Sequence, residues 1–276
     1  MNILIYIIFL SFSLYPIGFD ALNIPSNSME MSLSGTGIAA RGNGVINPSG
    51  NYNQSPRIGF SANKWMVEIG GNSFYYINND YQFTYSSLKV DDIELRNDIP
   101  SDEPLDIVES SFLSFGISKG YNIFNDLNLG IGAQFHYNQL FLNKFSTLTL
   151  DIGLQKPLLK NLQIGLLIKD IGSNSLDIPT SYGAGVSYYI ANLKTELLVD
   201  YIYSNHYQSG ISYGLIQEIK MITFNAGYSK FSNLRRTLSS GIKINLNKKY
   251  NFLYSLLSVE NSNLGLAHYF GIEISL

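Results

Sequence analysis

Histidine, aspartate and glutamate are the candidate metal ligands and acid–base groups of this chain, which contains no cysteine. Its three histidines, His136, His206 and His268, stand far apart in the sequence. They show neither the HExxH motif nor the close histidine pairs of metal sites. A Ser–His–Asp hydrolase would also need a recognisable nucleophile motif, and the sequence has none. We therefore predict no catalytic residue, no cofactor-binding residue, no metal ligand and no enzymatic activity.

Acidic residues cluster between Lys89 and Glu109. Clustered carboxylates are the ligands that hard cations such as Ca²⁺ prefer, but the spacing here does not match an EF-hand loop. The acidic residues of this stretch are Asp91, Asp92, Glu94, Asp98, Asp102, Glu103, Asp106 and Glu109. Since Lys89 and Arg96 stand among them, we interpret the stretch as a solvated surface loop.

A glycine-rich run from Gly35 to Gly42 has a composition similar to that of phosphate-binding loops. It lacks the Gly-Lys-Ser/Thr ending of those loops, and no strand–helix–strand unit surrounds it. Turn formation and close packing explain these glycines better than phosphate binding does.

The composition narrows the class of protein. Only 14% of the 276 residues are charged, against about 25% in a typical soluble domain. A hydrophobic fraction of 45%, with 20 tyrosines and 16 phenylalanines, is ample for a core and argues against disorder. The 18 lysines and arginines form no basic cluster, which excludes nucleic acid as a partner. The lack of cysteine excludes a disulfide-stabilised scaffold.

The N-terminus carries a long apolar run, from Ile3 to Phe19, without a charged residue. Its position is typical of a secretory signal peptide, which we assign to residues 1–21. The segment departs from the usual pattern because no lysine or arginine precedes it and the cleavage site is not marked by small residues. A short membrane anchor is the alternative, although the run is slightly short for a spanning helix.

The rest of the sequence alternates between apolar and polar residues with a period of two, which is the pattern of β-strands. From Leu127 to Tyr137 every odd position is apolar and every even position is polar or glycine. The same alternation recurs further along the chain, for example in Leu148–Leu154, Leu197–Tyr203 and Phe270–Leu276. We therefore predict an all-β fold.

Charged residues of these strands fall on the polar face, and the rest of that face is mostly glycine, serine, threonine and asparagine. They are Asp151, Lys169, Lys194, Glu196, Asp200, Lys243 and Glu273. A soluble sandwich would expose a strongly charged face to water. A membrane barrel instead turns apolar side chains to lipid and small polar side chains to its lumen. Because an open sheet edge would leave unpaired backbone groups in lipid, we expect the sheet to close.

Counting the alternating segments gives fourteen strands, an even number as in bacterial barrels. The predicted strands start at Pro56, Met66, Tyr81, Ser110, Leu127, Phe145, Asn161, Ser181, Lys194, Gln208, Met221, Leu234, Asn251 and Leu264. Six short turns alternate with longer loops, the longest running from Lys89 to Glu109. Short turns are expected in the periplasm and long loops outside. The pattern is weakest between Pro56 and Ile77, so twelve strands are the alternative.

Several tyrosines lie near predicted strand ends, where membrane barrels carry belts of interfacial aromatic residues. We assign them to these belts rather than to a ligand-stacking surface. They are Tyr75, Tyr76, Tyr188, Tyr189, Tyr201 and Tyr203.

The last eight residues, Tyr269–Leu276, resemble the C-terminal assembly signal of bacterial outer-membrane barrels. Gly271, Ile274 and Leu276 fill the positions of that signal, with leucine in place of the usual final phenylalanine. This resemblance implies a location in the bacterial outer membrane, with outer-membrane lipid around the barrel.

Three short N-terminal stretches resemble the PorV/PorQ family, relatives of the FadL-type fatty-acid channels. They are Leu22–Pro25, Met31–Ala39 and Asn47–Gly50, with Ser49 where the family usually has alanine. Further stretches, Leu150–Leu154, Gly165–Gly172 and Leu264–Gly271, resemble strands of that family. The resemblance implies a fourteen-stranded barrel with its N-terminal segment packed inside.

The resemblance also implies two functions. PorV-like members serve type IX secretion and receive secreted cargo proteins, which would make such cargo or secretion components the partners of this chain. FadL-like members let hydrophobic small molecules cross the outer membrane, which would make such a molecule the ligand. The first is our main hypothesis from the sequence and the passive channel is the alternative.

The expected division of the chain is a signal peptide at 1–21, a plug at 22–54 and a barrel at 55–276. A barrel of about fourteen strands has a lumen too wide for wall side chains to fill. Residues 22–54 contain only two charged residues, Glu30 and Arg41. A nearly neutral segment can enter a polar lumen without burying unpaired charge.

Overall fold

The computed structural model describes residues 19, 21–22, 24–42, 45–65, 69–96, 103–140, 143–172, 178–206, 208–232, 236–247, 249–260 and 266–276. Most of the predicted signal peptide lies outside these residues. Asp98 and Asp102 of the acidic stretch, and the start of the predicted last strand at Leu264, lie outside them too.

Fourteen strands in the described residues form a single closed antiparallel sheet. The strands are β1 (Gln54–Lys64), β2 (Ile69–Asn79), β3 (Tyr81–Leu95), β4 (Asp106–Phe124), β5 (Leu127–Leu140), β6 (Asn143–Leu159), β7 (Leu162–Ile171), β8 (Ser181–Ile190), β9 (Thr195–Ser204), β10 (Gln208–Ile219), β11 (Ile222–Phe231), β12 (Arg236–Leu246), β13 (Tyr250–Val259) and β14 (Leu266–Ser275). Each strand pairs with its neighbours in sequence, and β1 pairs with β14. The predicted fourteen-stranded transmembrane β-barrel is confirmed, and the twelve-stranded alternative is wrong.

The first and last strands close the barrel. Their register runs from Arg57 opposite Ser275 to Lys64 opposite His268 without an interruption. The C-terminal residues that resemble an assembly signal therefore form the closing edge of the sheet. Since every strand has a partner on both sides, none of their edges is left to lipid.

The two ends of the barrel differ in their connections. One end, which we call the short-turn end, carries the turns at 80, 125–126, 160–161, 191–194 and 220–221 and the connection from β12 to β13. The opposite end, the long-loop end, carries the remaining connections, including the hairpin between β3 and β4. Strand β1 begins at the short-turn end, so the N-terminal segment joins the barrel there.

The hairpin of β3 and β4 corrects one expectation. The stretch from Lys89 to Glu109 was expected to be a loop, but β3 continues to Leu95 and β4 begins at Asp106. Backbone pairing continues after a register shift between Val90 and Ile93. Lys89 Nζ lies 3.1 Å from Glu109 Oε2 across the hairpin. Apolar residues such as Val90, Ile93 and Leu95 stand among the acidic residues of β3. These residues favour strand over loop and are consistent with the length of the hairpin.

The two faces of the wall have the composition expected of a membrane barrel. Outward residues such as Leu148 (70% exposed), Leu166 (54%) and Phe270 (59%) are apolar. Inward positions are buried and mostly small or polar, as at Ser212, Ser239 and Ser255. For one of the charged residues predicted on the polar face, Lys194, the prediction is wrong. Lys194 lies in the turn before β9, with a positive φ of 49°.

Helix is scarce in the described residues. A five-residue helix, α1 (Ser28–Ser32), and a 3₁₀ helix, Pro48–Asn51, both precede the barrel. No helix in the described part of the chain has the length and apolar character needed to span a membrane.

A charged side chain on the outward face should destabilise the barrel, and the cost should depend on its depth in the bilayer. Ile152, in the middle of β6, is 40% exposed on the outer surface. Lysine there would face the bilayer midplane, so Ile152→Lys should lower the free energy of unfolding from lipid vesicles by about 2–4 kcal/mol. Urea titration, followed by heat-modifiable electrophoretic mobility, measures this change.

Leu246 provides the matched control because it ends β12 at the short-turn end and is 42% exposed. Leu246→Lys should cost only about 0–1 kcal/mol, since its ammonium group reaches the interface. Equal penalties at the two positions would contradict the proposed placement of the wall in the bilayer.

Candidate functional site

The N-terminal segment, defined here as residues 24–53 without 43–44, packs against inward-facing residues of the barrel. Helix α1 is capped by Asn27, whose side chain accepts hydrogen bonds from the backbone N–H groups of Met29 and Glu30. Ser28 Oγ lies 2.9 Å from Ser255 Oγ on β13. On β14 the Tyr269 hydroxyl donates to the Pro25 carbonyl at 2.8 Å. The start of the segment is thus bound to the last strands of the wall.

Two carboxylates of β9 hold the glycine-rich run. Asp200 Oδ2 accepts hydrogen bonds from the backbone N–H groups of Gly37 (2.6 Å) and Ile38 (3.0 Å). Glu196 Oε1 accepts from the backbone N–H of Arg41 at 3.0 Å and from the hydroxyl of Ser187. The run is therefore a packed turn whose amides bind protein carboxylates, as expected from its lack of a phosphate-loop ending.

Asn47 joins the segment to strand β7 of the wall. Its Nδ2 donates to the carbonyls of Ile38 (2.8 Å) and Leu166 (3.1 Å), and its Oδ1 accepts from the hydroxyl of Ser49 (2.7 Å). Its side chain is fully buried. A methyl group on Gly130 of β5 would lie 2.0 Å from the Ser49 nitrogen, so glycine is required where the 3₁₀ helix meets the wall.

Arginines fasten the segment at the short-turn end. Arg41 donates to the Lys160 carbonyl at 2.9 Å and lies 5.4 Å from the centre of the Tyr189 ring. Arg57 donates to the Gly42 carbonyl at 3.2 Å. Because hydrogen bonds reach the segment from several sides of the wall, it is held as a unit across the lumen.

A polar cluster around Glu273 lies beside the closing strands. Its carboxylate accepts hydrogen bonds from the Tyr75 hydroxyl (2.6 Å), Lys243 (2.9 Å) and Asn251 (2.8 Å). Arg57 Nε lies 3.5 Å away. Several donors offset the cost of burying this carboxylate. Tyr75 therefore points inward, and its assignment to an interfacial belt is wrong.

Two cavities remain between the N-terminal segment and the wall. The larger one, which we call the chamber, has a volume of about 140 Å³. Apolar side chains from both the segment and the wall line it: Leu22, Pro25, Ile38, Ile46, Leu167, Ile202, Phe231 and Leu257. The smaller cavity, of about 90 Å³, is lined mainly by β2 to β6 and the segment. Leu22, Glu30, Ile46 and Lys169 line both, so the cavities are adjacent.

Charged side chains separate the two cavities. Lys169 carries the positive charge, and Glu30, Asp151 and Asp170 lie within electrostatic range of it. Asp151 Oδ1 accepts from the backbone N–H of Asp170 at 2.8 Å, and Asp151 Oδ2 accepts from Gln134 at 2.5 Å. Asp170 adopts a left-handed backbone, with φ of 58°. It follows Lys169 directly, where the pairing of β6 and β7 shifts register between Leu150 and Ile152.

The three histidines lie on or beside three different strands. Buried His136 bonds to Thr149 at 2.9 Å, with its Nε2 3.9 Å from Asp170 Oδ1. His268 bonds to the Tyr254 hydroxyl at 2.9 Å, and His206 follows the end of β9. Among the described residues no group of three or more histidines and carboxylates is placed to hold a metal ion.

The tyrosines assigned to belts divide between the two faces. Tyr201 and Tyr203 are about half exposed on the outer face, at 52% and 48%, and Tyr188 is 43% exposed there. Tyr189 instead lies against Arg41, and Tyr75 against Glu273. Adjacent residues of a strand point to opposite faces of the sheet. Tyr75 and Tyr76 therefore cannot lie in one belt, and neither can Tyr188 and Tyr189.

The sequence analysis did not predict the chamber or the residues that line it. A signal for it exists, because Leu167, Ile202 and Leu257 are apolar residues at inward positions of their strands. Leu167 stands between Gly165 and Lys169, and Ile202 between Asp200 and Ser204. Such apolar interruptions of a polar face mark the apolar part of the lumen.

Solved structures with a similar fold include three channels and transporters. A CymD monoaromatic hydrocarbon channel has 12% identity and a TM-score of 0.65, covering 91% of this chain and 97% of that one. The Ralstonia pickettii toluene transporter TbuX has 11% identity and a TM-score of 0.65, covering 91% and 98%. The Pseudomonas putida toluene transporter TodX has 11% identity and a TM-score of 0.62, covering 90% and 96%.

Sequence comparisons identify no family. The chain matches no protein-family model, and a search of curated proteins finds no match. The resemblance to the PorV/PorQ family therefore receives no support from them. This chain has the fold of the hydrocarbon channels named above, at identities that establish the fold alone.

Proposed function

We propose that this protein is an outer-membrane channel that carries small apolar molecules. The chamber is the observation that supports this function: eight apolar side chains line it, beside serines and the charged Glu30, Lys169 and Asp170, inside a lumen whose other inward residues are mostly small and polar. An apolar solute gains free energy by leaving water for contact with these apolar side chains. The structural neighbours are titled hydrocarbon channels and toluene transporters, which is the same class of solute.

The size of the chamber supports a monoaromatic or similarly small solute. An engineered apolar cavity of about 150 Å³ in another protein binds benzene. The chamber, at about 140 Å³, is of that size. A folded or extended polypeptide needs far more space, so the chamber favours the channel over the secretion of protein cargo.

Residues 22–54 act in this proposal as a plug that supplies one side of the chamber. Ile38 and Ile46 of the segment line it, opposite Leu167 and Ile202 of the wall. A signal peptide at 1–21 would direct export of the chain from the cytoplasm, after which the barrel would assemble in the outer membrane with the long-loop end outside. The segment then limits the free passage of water and ions while its apolar side chains receive the solute.

Ser212 offers a direct test of the chamber. It lies on β10, lines the chamber and is only 2% exposed. Ser212→Phe should fill the chamber and lower the rate of toluene entry at least about tenfold, because overpacked interiors cannot admit further atoms. Uptake of radiolabelled toluene is measured in bacterial cells that carry the protein in their outer membrane and lack other hydrocarbon channels.

Ile211→Phe is the matched control, since Ile211 precedes Ser212 and is 43% exposed on the outer face. It adds the same ring on the lipid side and should leave toluene uptake unchanged. If wild-type cells take up toluene no faster than cells without the protein, the channel function is refuted.

The plug is tested at Gly227. A methyl group there would lie 2.2 Å from the Leu33 carbonyl carbon, a backbone atom with little freedom to move. Gly227→Ala should therefore displace the N-terminal segment and leave the strands paired. We expect higher ion conductance in planar bilayers and faster cleavage of the segment by added protease.

Gly70→Ala is the control for this substitution, because its added methyl group would meet nothing closer than the Asn63 carbonyl oxygen at 3.8 Å. Its conductance should equal that of the wild type. An unchanged conductance in Gly227→Ala would show that residues 22–54 do not close the lumen.

A further inference from the structure

We infer that the chamber selects small apolar molecules that carry one hydrogen-bond-donating group, an amine or a hydroxyl, and that it rejects carboxylates. This inference rests on the proposed channel function and names the class of its substrate. It follows from the charged and unpaired polar atoms in the chamber wall.

The charge around the chamber is predominantly negative. Glu30, Lys169 and Asp170 line it, and Asp151 accepts a hydrogen bond from the Asp170 backbone. The cluster thus holds three carboxylates and one ammonium group. Lys169 lies within electrostatic range of all three carboxylates, which outnumber it. An incoming carboxylate would meet like charges in a region of low dielectric constant, where their repulsion is strong.

Two buried polar atoms in the chamber wall have no hydrogen-bond partner among the described residues. They are Asp170 Oδ1 and Ser212 Oγ. The two residues are only 3% and 2% exposed, and both line the chamber. For Asp170 Oδ1, His136 Nε2 is 3.9 Å away, beyond hydrogen-bond distance. Buried polar atoms are nearly always satisfied in folded proteins, and these two belong to residues that line a cavity where a partner could bind.

The chemistry of these atoms determines the partner. A carboxyl group offers oxygen atoms that accept hydrogen bonds, and a hydroxyl both accepts and donates. A ligand that donates to Asp170 Oδ1 therefore satisfies it, whereas a hydrocarbon leaves it unpaired. The rest of the lining is largely apolar and contributes Leu167, Ile202 and Phe231, among others, to hold the body of the ligand. An apolar body with a single donor fits both parts of the wall.

Four probes with one ring each separate the alternatives: toluene, benzyl alcohol, benzylamine and benzoate. Binding is measured by equilibrium dialysis of the purified full-length protein, with the same detergent in both compartments so that partition into micelles cancels. We expect benzylamine and benzyl alcohol to bind more tightly than toluene. Benzoate should bind at least about tenfold more weakly than benzylamine, as loss of a charge-assisted hydrogen bond predicts.

Asp170→Asn removes the negative charge at constant size. It should weaken benzylamine binding about tenfold, because the hydrogen bond to a charged acceptor is lost, and leave toluene binding unchanged. Asp91→Asn is the matched control, since the Asp91 carboxylate is 45% exposed on the β3–β4 hairpin. It should change neither affinity. Heat-modifiable mobility verifies that each variant is folded.

Ser212→Ala provides a second variant should Asp170→Asn fail to fold. It deletes one hydroxyl and should weaken benzyl alcohol binding several-fold relative to toluene. Benzoate binding as tight as that of benzylamine overturns the inference, as do unchanged affinities in the folded variants. These results differ from failure of the channel itself: toluene uptake by cells tests transport, whereas the order of the four affinities tests selectivity.

Discussion

The requirement that every backbone polar group of a membrane-embedded sheet be paired within the protein is the constraint on which this structure depends. An unpaired N–H or C=O group has no water to bind in hydrocarbon, so the sheet has to close on itself. The pairing of β1 with β14 meets this requirement. Closure then creates a lumen, and the width of that lumen at fourteen strands creates space for a second element inside.

The contents of the lumen follow from the cost of burying charge. Each of the inward carboxylates at Glu196, Asp200 and Glu273 accepts at least two hydrogen bonds. The first two bind backbone N–H groups of the glycine-rich run, and so the same contacts that stabilise the carboxylates also position the segment. Asp170 and Asp200 each keep one oxygen, Oδ1, without a partner. Of these two residues, Asp170 lines the chamber, at the site of the proposed ligand.

Most of the wall was predictable from the sequence because alternation with period two is a local property. Tyr81, Leu127, Ser181 and Gln208 begin their strands as predicted. The extent of the β3–β4 hairpin was not predictable, since acidic residues indicate a loop and the pairing beyond Val90 depends on the partner strand. Tyr75 points inward to a carboxylate about two hundred residues away in sequence, on the closing strand. The chamber requires side chains from several strands and from the segment together, which no local pattern records.

The point where the N-terminal segment joins the wall has a further consequence. Gln54 begins β1 at the short-turn end, so the segment is joined covalently to the wall at that end. If its hydrogen bonds to the wall break, it remains attached as a tether. Its return is intramolecular, at an effective concentration on the order of millimolar for a short flexible tether. Any opening would thus be brief, because it ends by return of the attached segment and not by diffusion of a partner from solution.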